Sequence, residues 1–221
     1  MKLIIFDIDG TIIDSVNTDD DCFIETFYNL HQIDLTNVDW TNFKNITDIG
    51  LTIEIFQKYY NRLPSTKEIE LIKNHFFELL NNRKEEFTEI KDSLSFINYI
   101  SKIPDFQIGF ATGGWKETAE LKCNYVGLDL DEFIFKSSNY HFNRAKIIER
   151  VIDEALTKNN INQFETIFYF GDGIWDLKAT EELDIEFIGV DFKKNNKLKK
   201  AGVKRIIENY ETQSKIMNWI I

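Results

Sequence analysis

Lys2-Leu3-Ile4-Ile5-Phe6-Asp7-Ile8-Asp9-Gly10-Thr11 is the stretch whose reading decides the fold. A short continuous apolar run, stopped by Asp-Ile-Asp-Gly, predicts a buried strand from Lys2 to Phe6 that feeds a loop at Gly10. Such a strand needs sheet partners, and none follows it directly. From Val16 to Asn82 the pattern is helical, with Phe23, Phe27 and Leu30 early and Ile69, Ile72, Phe76 and Leu79 late. Pro64, followed by Ser65 and Glu68 in S-x-x-E spacing, marks the start of the last helix of this block. After about Lys91 helices and strands alternate. Helices are predicted from Ser93 to Lys102, Lys116 to Val126, Arg144 to Asn159 and Trp175 to Leu183, and strands from Gln107 to Ala111, Phe133 to Lys136, Thr166 to Phe170 and Glu186 to Val190. That alternation implies a parallel sheet covered by helices on both faces, an α/β fold. The first strand then rejoins a sheet built by the second half, and the helical block is an insert. The expected organisation is a core of residues 1–15 and 91–221 interrupted by an all-helical domain of residues 16–90.

Composition narrows the functional class. The 221 residues carry 37 Asp and Glu against 26 Lys and Arg, a formal charge of −11 that excludes a generally basic nucleic-acid binder. At 43% hydrophobic and 29% charged, the chain can bury a core, which rules out disorder. Its apolar runs fall far short of the roughly 20 residues of a membrane span, and an Asp arrives too early for a secretory signal. The expected location is the cytoplasm. Cys22 and Cys123 lie far apart and form no CxxC, so neither a disulfide framework nor a zinc site is expected. The glycosylation pattern Asn45-Ile46-Thr47 has no consequence without secretion.

In an open parallel sheet, ligands bind beyond the carboxyl ends of the strands. Three such ends stand out: Asp7-Ile8-Asp9-Gly10-Thr11, Thr112-Gly113-Gly114, and Gly171-Asp172-Gly173-Ile174-Trp175-Asp176. If they converge, Asp7, Asp9, Asp172 and Asp176 repel one another and demand a cation. Mg²⁺ suits all-oxygen donors and tolerates a phosphate beside it. Zinc does not fit, since His31, His75 and His141 stand at no ligand spacing from one another or from a Cys. A carboxylate beside such an ion can attack phosphorus, and a second acid two residues along can protonate the leaving oxygen and then activate water. Asp7 and Asp9 fit these two roles. Gly10 permits the close backbone approach, while Thr112 and the N–H groups of Gly113 and Gly114 offer donors to phosphate oxygens.

Together, Asp7-x-Asp9-Gly10-Thr11, Thr112-Gly113-Gly114 and Gly171-Asp172-x3-Asp176 resemble the haloacid dehalogenase (HAD) superfamily, in its Mg²⁺-dependent phosphatase branch with a helical C1-type cap, similar to phosphoglycolate phosphatases. The resemblance covers nearly the whole chain in the right order. It implies a Rossmann-like three-layer core, with Asp7 as nucleophile and metal ligand and Asp9 as general acid and base whose backbone carbonyl binds the metal. Asp172 would be a further ligand, Asp176 would stand behind the metal site, and Gly10, Thr11, Thr112, Gly113 and Gly114 would surround the phosphate. The family also needs a cation at the start of the helix before the last motif. The common Lys-Pro is absent here, and Asn143-Arg144-Ala145-Lys146 offers two candidates, of which Arg144 is preferred for its place at the helix start.

The expected activity is hydrolysis of a small phosphate monoester through an aspartyl phosphate, with Mg²⁺ as cofactor. A sugar phosphomutase of the β-phosphoglucomutase kind shares the intermediate and is the nearest alternative; a non-enzymatic phosphoacceptor module is the more distant one. Dehalogenation is disfavoured because it needs no second acid. The expected partner is a small phosphorylated metabolite, with no nucleic acid and no membrane, in a monomer or weak homo-oligomer. Residues 16–90 would form a lid over the catalytic face. Because the whole chain is acidic, a local positive patch from Arg144 or Lys146 and the metal is expected to attract the substrate. Trp115 and Trp175 are each expected to wedge a helix start against the core.

Overall fold

The computed structural model describes residues 1–221. The sheet follows from the apolar strands. β1 (Lys2–Phe6) lies at its centre, hydrogen-bonded on one side to β4 (Phe106–Ala111) and on the other to β6 (Ile167–Gly171). β5 (Ile134–Lys136) extends the β4 edge, and β7 (Glu186–Val190) and β8 (Ile206–Ile207) extend the β6 edge, giving the all-parallel order β5-β4-β1-β6-β7-β8. Successive side chains of a strand point to opposite faces, and β1 uses both. Ile4 and Phe6 enter a core with Phe96, Phe110, Phe170 and Tyr210, in which the Phe6 and Phe170 rings stack at 4.7 Å. Leu3 and Ile5 enter a second core with Ile147, Ile148 and Val151 of α6 (Arg144–Asn159). Full burial of such a side chain contributes roughly 1.5–3 kcal/mol, which is why a five-residue strand can serve as the axis of the sheet.

Further helices cover the two faces. α4 (Ser93–Ile100) and α9 (Gln213–Ile220) supply Phe96, Ile216 and Ile220 to the first core, together with α5 (Lys116–Val126). α7 (Ile174–Leu183) joins α6 on the other face. Between β2 (Ile13–Asp14) and β3 (Thr88–Glu89), which pair antiparallel, lies a segment with helices and no strand: α1 (Val16–His31), α2 (Asp48–Tyr60) and α3 (Thr66–Asn82). α3 begins at the capping box read from the sequence, with the Glu68 N–H donating to Ser65 Oγ at 3.3 Å and the Ser65 N–H donating to Glu68 Oε2 at 2.8 Å.

Two features differ from the pattern reading. The helical stretch is broken between residues 32 and 47, where Leu35 and Ile33 are buried within a loop and Trp40–Asn42 makes one tight turn. Beyond β7 the chain adds α8 (Lys197–Lys200), β8 and α9, elements too short or too weakly patterned to announce themselves. No helix is long and apolar enough to cross a membrane.

Candidate active site

The site is assembled where β1, β4 and β6 end side by side. The Asp7 N–H donates to the Phe170 carbonyl at 2.9 Å, which locks the exit of β1 to that of β6. Asp7 is buried there, and oxygens of Asp7, Asp172 and Asp176 lie within 4.8 Å of one another. Gly10, at φ +76°, is what lets the loop close on them, since a Cβ at that position would stand 2.3 Å from Asp172 Oδ2. Thr112 and Gly113 follow β4 on the other side. Thr112 Oγ1 accepts the Gly114 N–H at 3.0 Å, so that N–H is satisfied internally, while the Gly113 N–H has no partner within the chain.

Arg144 reaches this cluster from the first turn of α6. Its Nη1 lies 3.1 Å from Asp7 Oδ1 and 3.0 Å from Asp176 Oδ1. Its Nη2 donates to the Ile46 carbonyl at 3.2 Å, and it passes so close to Gly113 that a Cβ there would lie 2.3 Å from Nη2. Lys146 does not come to the site; it is exposed and paired with Glu149 at 2.7 Å. Thr11 also stays out of the cleft. Its side chain is fully buried and its carbonyl accepts the Tyr210 hydroxyl at 3.0 Å.

Asp176 is saturated. Its Oδ2 accepts the Gly173 N–H at 3.0 Å, and its Oδ1 accepts the Tyr169 hydroxyl at 3.2 Å in addition to Arg144. It therefore orients its neighbours and leaves the open carboxylate oxygens to Asp7 and Asp172. Tyr169, fully buried on β6, carries no sequence signal beyond that of a strand residue.

The electrostatics favour an added cation. Burial, reinforced by the charge of Asp176, holds Asp7 well above the usual carboxylate range against the opposing pull of Arg144. Burial likewise pushes Asp172 up to about 8, again with Asp176 adding to the effect. Asp176 is raised chiefly by burial, and Arg144 opposes it. One guanidinium among three carboxylates leaves a formal charge of +1 − 3 = −2, so a hard divalent ion with oxygen donors matches both the charge and the chemistry of the site. The residues present fit Mg²⁺.

Asp9 lines the same cleft but stands outside the acidic cluster and is held by other partners. Its Oδ1 accepts the Ser15 hydroxyl at 2.6 Å and lies 2.5 Å from Nζ of Lys122, a fully buried residue of α5 that also pairs with Asp19 at 2.6 Å. Lys122 is a residue that sequence reasoning missed. A signal was present: it falls on the buried stripe Thr118, Ala119, Lys122, Cys123, where the helix period calls for an apolar side chain.

The helical segment closes over this face through polar contacts. The Asp48 N–H donates to the Gly113 carbonyl at 2.8 Å, the Trp115 N–H donates to Asp48 Oδ2 at 2.8 Å, and the Thr47 hydroxyl donates to the Phe142 carbonyl at 2.7 Å. Trp115 is buried against Phe23 and Phe76, which fulfils its expected part as a wedge. Trp175 instead is half-buried over Gly173 and lines the cleft. The cleft holds about 330 Å³ between the strand ends and Val16, Trp40, Leu51 and Ile174.

Residues 4–190 match the family model described as haloacid dehalogenase-like hydrolase. The chain belongs to that family. Among curated proteins none matches the sequence. Several solved structures share the fold of this HAD-like hydrolase over almost its full length. A hydrolase from Pseudomonas syringae superposes with a TM-score of 0.77 at 18% identity, covering 100% of this chain and 99% of its own. CbbY from Rhodobacter sphaeroides, in complex with phosphate, gives 0.71 at 16% identity with 95% of each chain covered. A protein of Haemophilus somnus described as a predicted phosphoglycolate phosphatase gives 0.70 at 13% identity with 98% of each covered.

Proposed function

We propose that this chain is a Mg²⁺-dependent phosphatase that hydrolyses a small phosphate monoester through a phosphoryl group carried on Asp7. The observation that supports it most strongly is the meeting of Asp7, Asp172 and Asp176 around Arg144 at the carboxyl end of a parallel sheet. CbbY and the Haemophilus somnus protein, similar in fold, agree with phosphate-ester chemistry. Asp7 and Asp172 would hold the ion with the backbone carbonyl of Asp9. When bound, Mg²⁺ supplies neutralising charge for the phosphate oxygens.

In the first half-reaction an Asp7 oxygen bonds to phosphorus as the ester P–O bond breaks, and Asp9 gives its proton to the departing alcohol. In the second, Asp9 takes a proton from water, whose oxygen bonds to phosphorus while the bond to Asp7 breaks. Arg144 keeps Asp7 oriented and adds positive charge beside the transferring group. The Thr112 hydroxyl and the Gly113 N–H donate to its oxygens. Residues 16–90 act as the lid of a core formed by 1–15 and 91–221, and the contacts of Asp48 and Thr47 seat it. This reading takes the enzyme as cytoplasmic and as a monomer or weak homo-oligomer.

The test is phosphate release from p-nitrophenyl phosphate. It should require Mg²⁺ and vanish in Asp7→Asn. Isomerisation of a sugar phosphate without net phosphate release would replace this reading with a mutase.

A further inference from the structure

Lys122 is the one ammonium group in the neighbourhood of the site that is fully buried, and it is held between two carboxylates, Asp9 at 2.5 Å and Asp19 at 2.6 Å. It does not line the cleft, so it has no access to a substrate. Burying an ammonium is unfavourable unless it is closely paired, and an apolar residue would pack this stripe of α5 without that cost. Its effect falls on Asp9. Lys122 and the Ser15 hydroxyl both bind Oδ1, which leaves Oδ2 as the oxygen on the side of the phosphate loop, 3.7 Å from where a Gly114 Cβ would stand. Two donors on one oxygen fix that end of the carboxylate and restrict how far its other oxygen can swing. Proton transfer requires that constraint, because a group displaced by about 1 Å loses much of its catalytic advantage. Asp19, at the start of α1, fixes the ammonium from the opposite side.

We propose that Lys122, seated by Asp19, is a positioning residue that aims Asp9 Oδ2 at the phosphate loop. The proposal rests on the phosphatase reading, and its test separates the two half-reactions. With Mg²⁺ present, 2,4-dinitrophenolate departs without a proton, so phosphorylation of Asp7 from that ester does not need Asp9, whereas phenyl phosphate needs it as acid and both need it as base for hydrolysis. In Lys122→Met, rapid mixing with the dinitrophenyl ester should give a burst of one product per enzyme near the wild-type rate. Steady turnover should then be about ten- to a hundredfold slower, and intact-protein mass should show the phosphoryl group accumulating. Phenyl phosphate should lose its burst phase as well. If Lys122→Met does not fold, Lys122→Met/Asp19→Asn removes the ammonium together with the carboxylate it would leave unpaired, and should give the same pattern. A variant that folds and slows both esters and both phases in equal proportion, or leaves all of them unchanged, overturns the positioning role. A wild-type enzyme inert towards both esters overturns the phosphatase reading and this proposal with it.

Discussion

Arg144 is the residue whose position had two candidates, and the geometry separates them by charge environment. Its Nη1 meets Asp7 and Asp176 at 3.1 and 3.0 Å while Nη2 donates to the Ile46 carbonyl, a set of contacts from two nitrogens that one ammonium nitrogen does not reproduce, and Lys146 faces solvent beside Glu149. Arg144→Lys should therefore lower kcat/KM by about a hundredfold, as expected when a group that orients the nucleophile is lost, and Lys146→Ala should stay within about twofold of wild type, since an exposed ion pair contributes little. Steady-state kinetics on one aryl phosphate checks both. The acidic strand ends were readable because each interrupts an apolar run, so a local pattern carries the message. Lys122 was not readable in the same way. Its partners Asp9 and Asp19 are brought to it only by the packing of α1 and β1 against α5, and a lysine inside a helix ordinarily faces water.

At the scale of elements, the start of α2 is the joint between the helical segment and the phosphate loop. Asp48 takes the Trp115 N–H at 2.8 Å while its own N–H binds the Gly113 carbonyl, so one residue grips both sides of Gly114. Burial raises the Asp48 carboxyl well above its ordinary range, with Asp19 adding to the effect and Lys122 opposing it. Asp48→Ala should leave the Trp115 N–H without its acceptor at a cost of about 1–3 kcal/mol, lowering the melting temperature. It should also raise KM, because α2 no longer seats on the loop. Ser65→Ala, at the N-terminus of α3, should cost about 1 kcal/mol of stability with KM unchanged, since its capping box lies remote from the cleft. Thermal melts paired with KM values distinguish the two. The boundaries of these helices were only partly readable. Ser65 and Glu68 are a local signature, whereas the loop before α2 is stabilised by burying Ile33 and Leu35 against other elements, which no window of sequence reports.

At the scale of the whole molecule, the order of the sheet explains why distant segments share one site. β1 sits between β4 and β6, so the residues after these three strands must come together, and the helices packed on both faces bury the acids they carry. That burial makes stability depend on pH and on metal. Asp172 lies at about 8 in the folded chain against an ordinary value of 3.8, and Asp19 is pushed by burial to about 7 against the same 3.8. Between those values the folded protein retains protons that the unfolded chain has already released, so the contribution of these groups to stability declines as pH rises. In the presence of a chelator the melting temperature should fall from about pH 5 to about pH 8. Asp172→Asn should flatten that slope, because it removes the more strongly raised of these two groups without creating a charge. Mg²⁺ should raise the melting temperature most at the alkaline end, where the carboxylates are ionised and no proton has to be displaced for binding. Melting curves across that range, with chelator and with Mg²⁺, check the argument. A chelated protein that gains stability steadily towards pH 8 would mean that Asp172 and Asp19 are already balanced by charge within the chain.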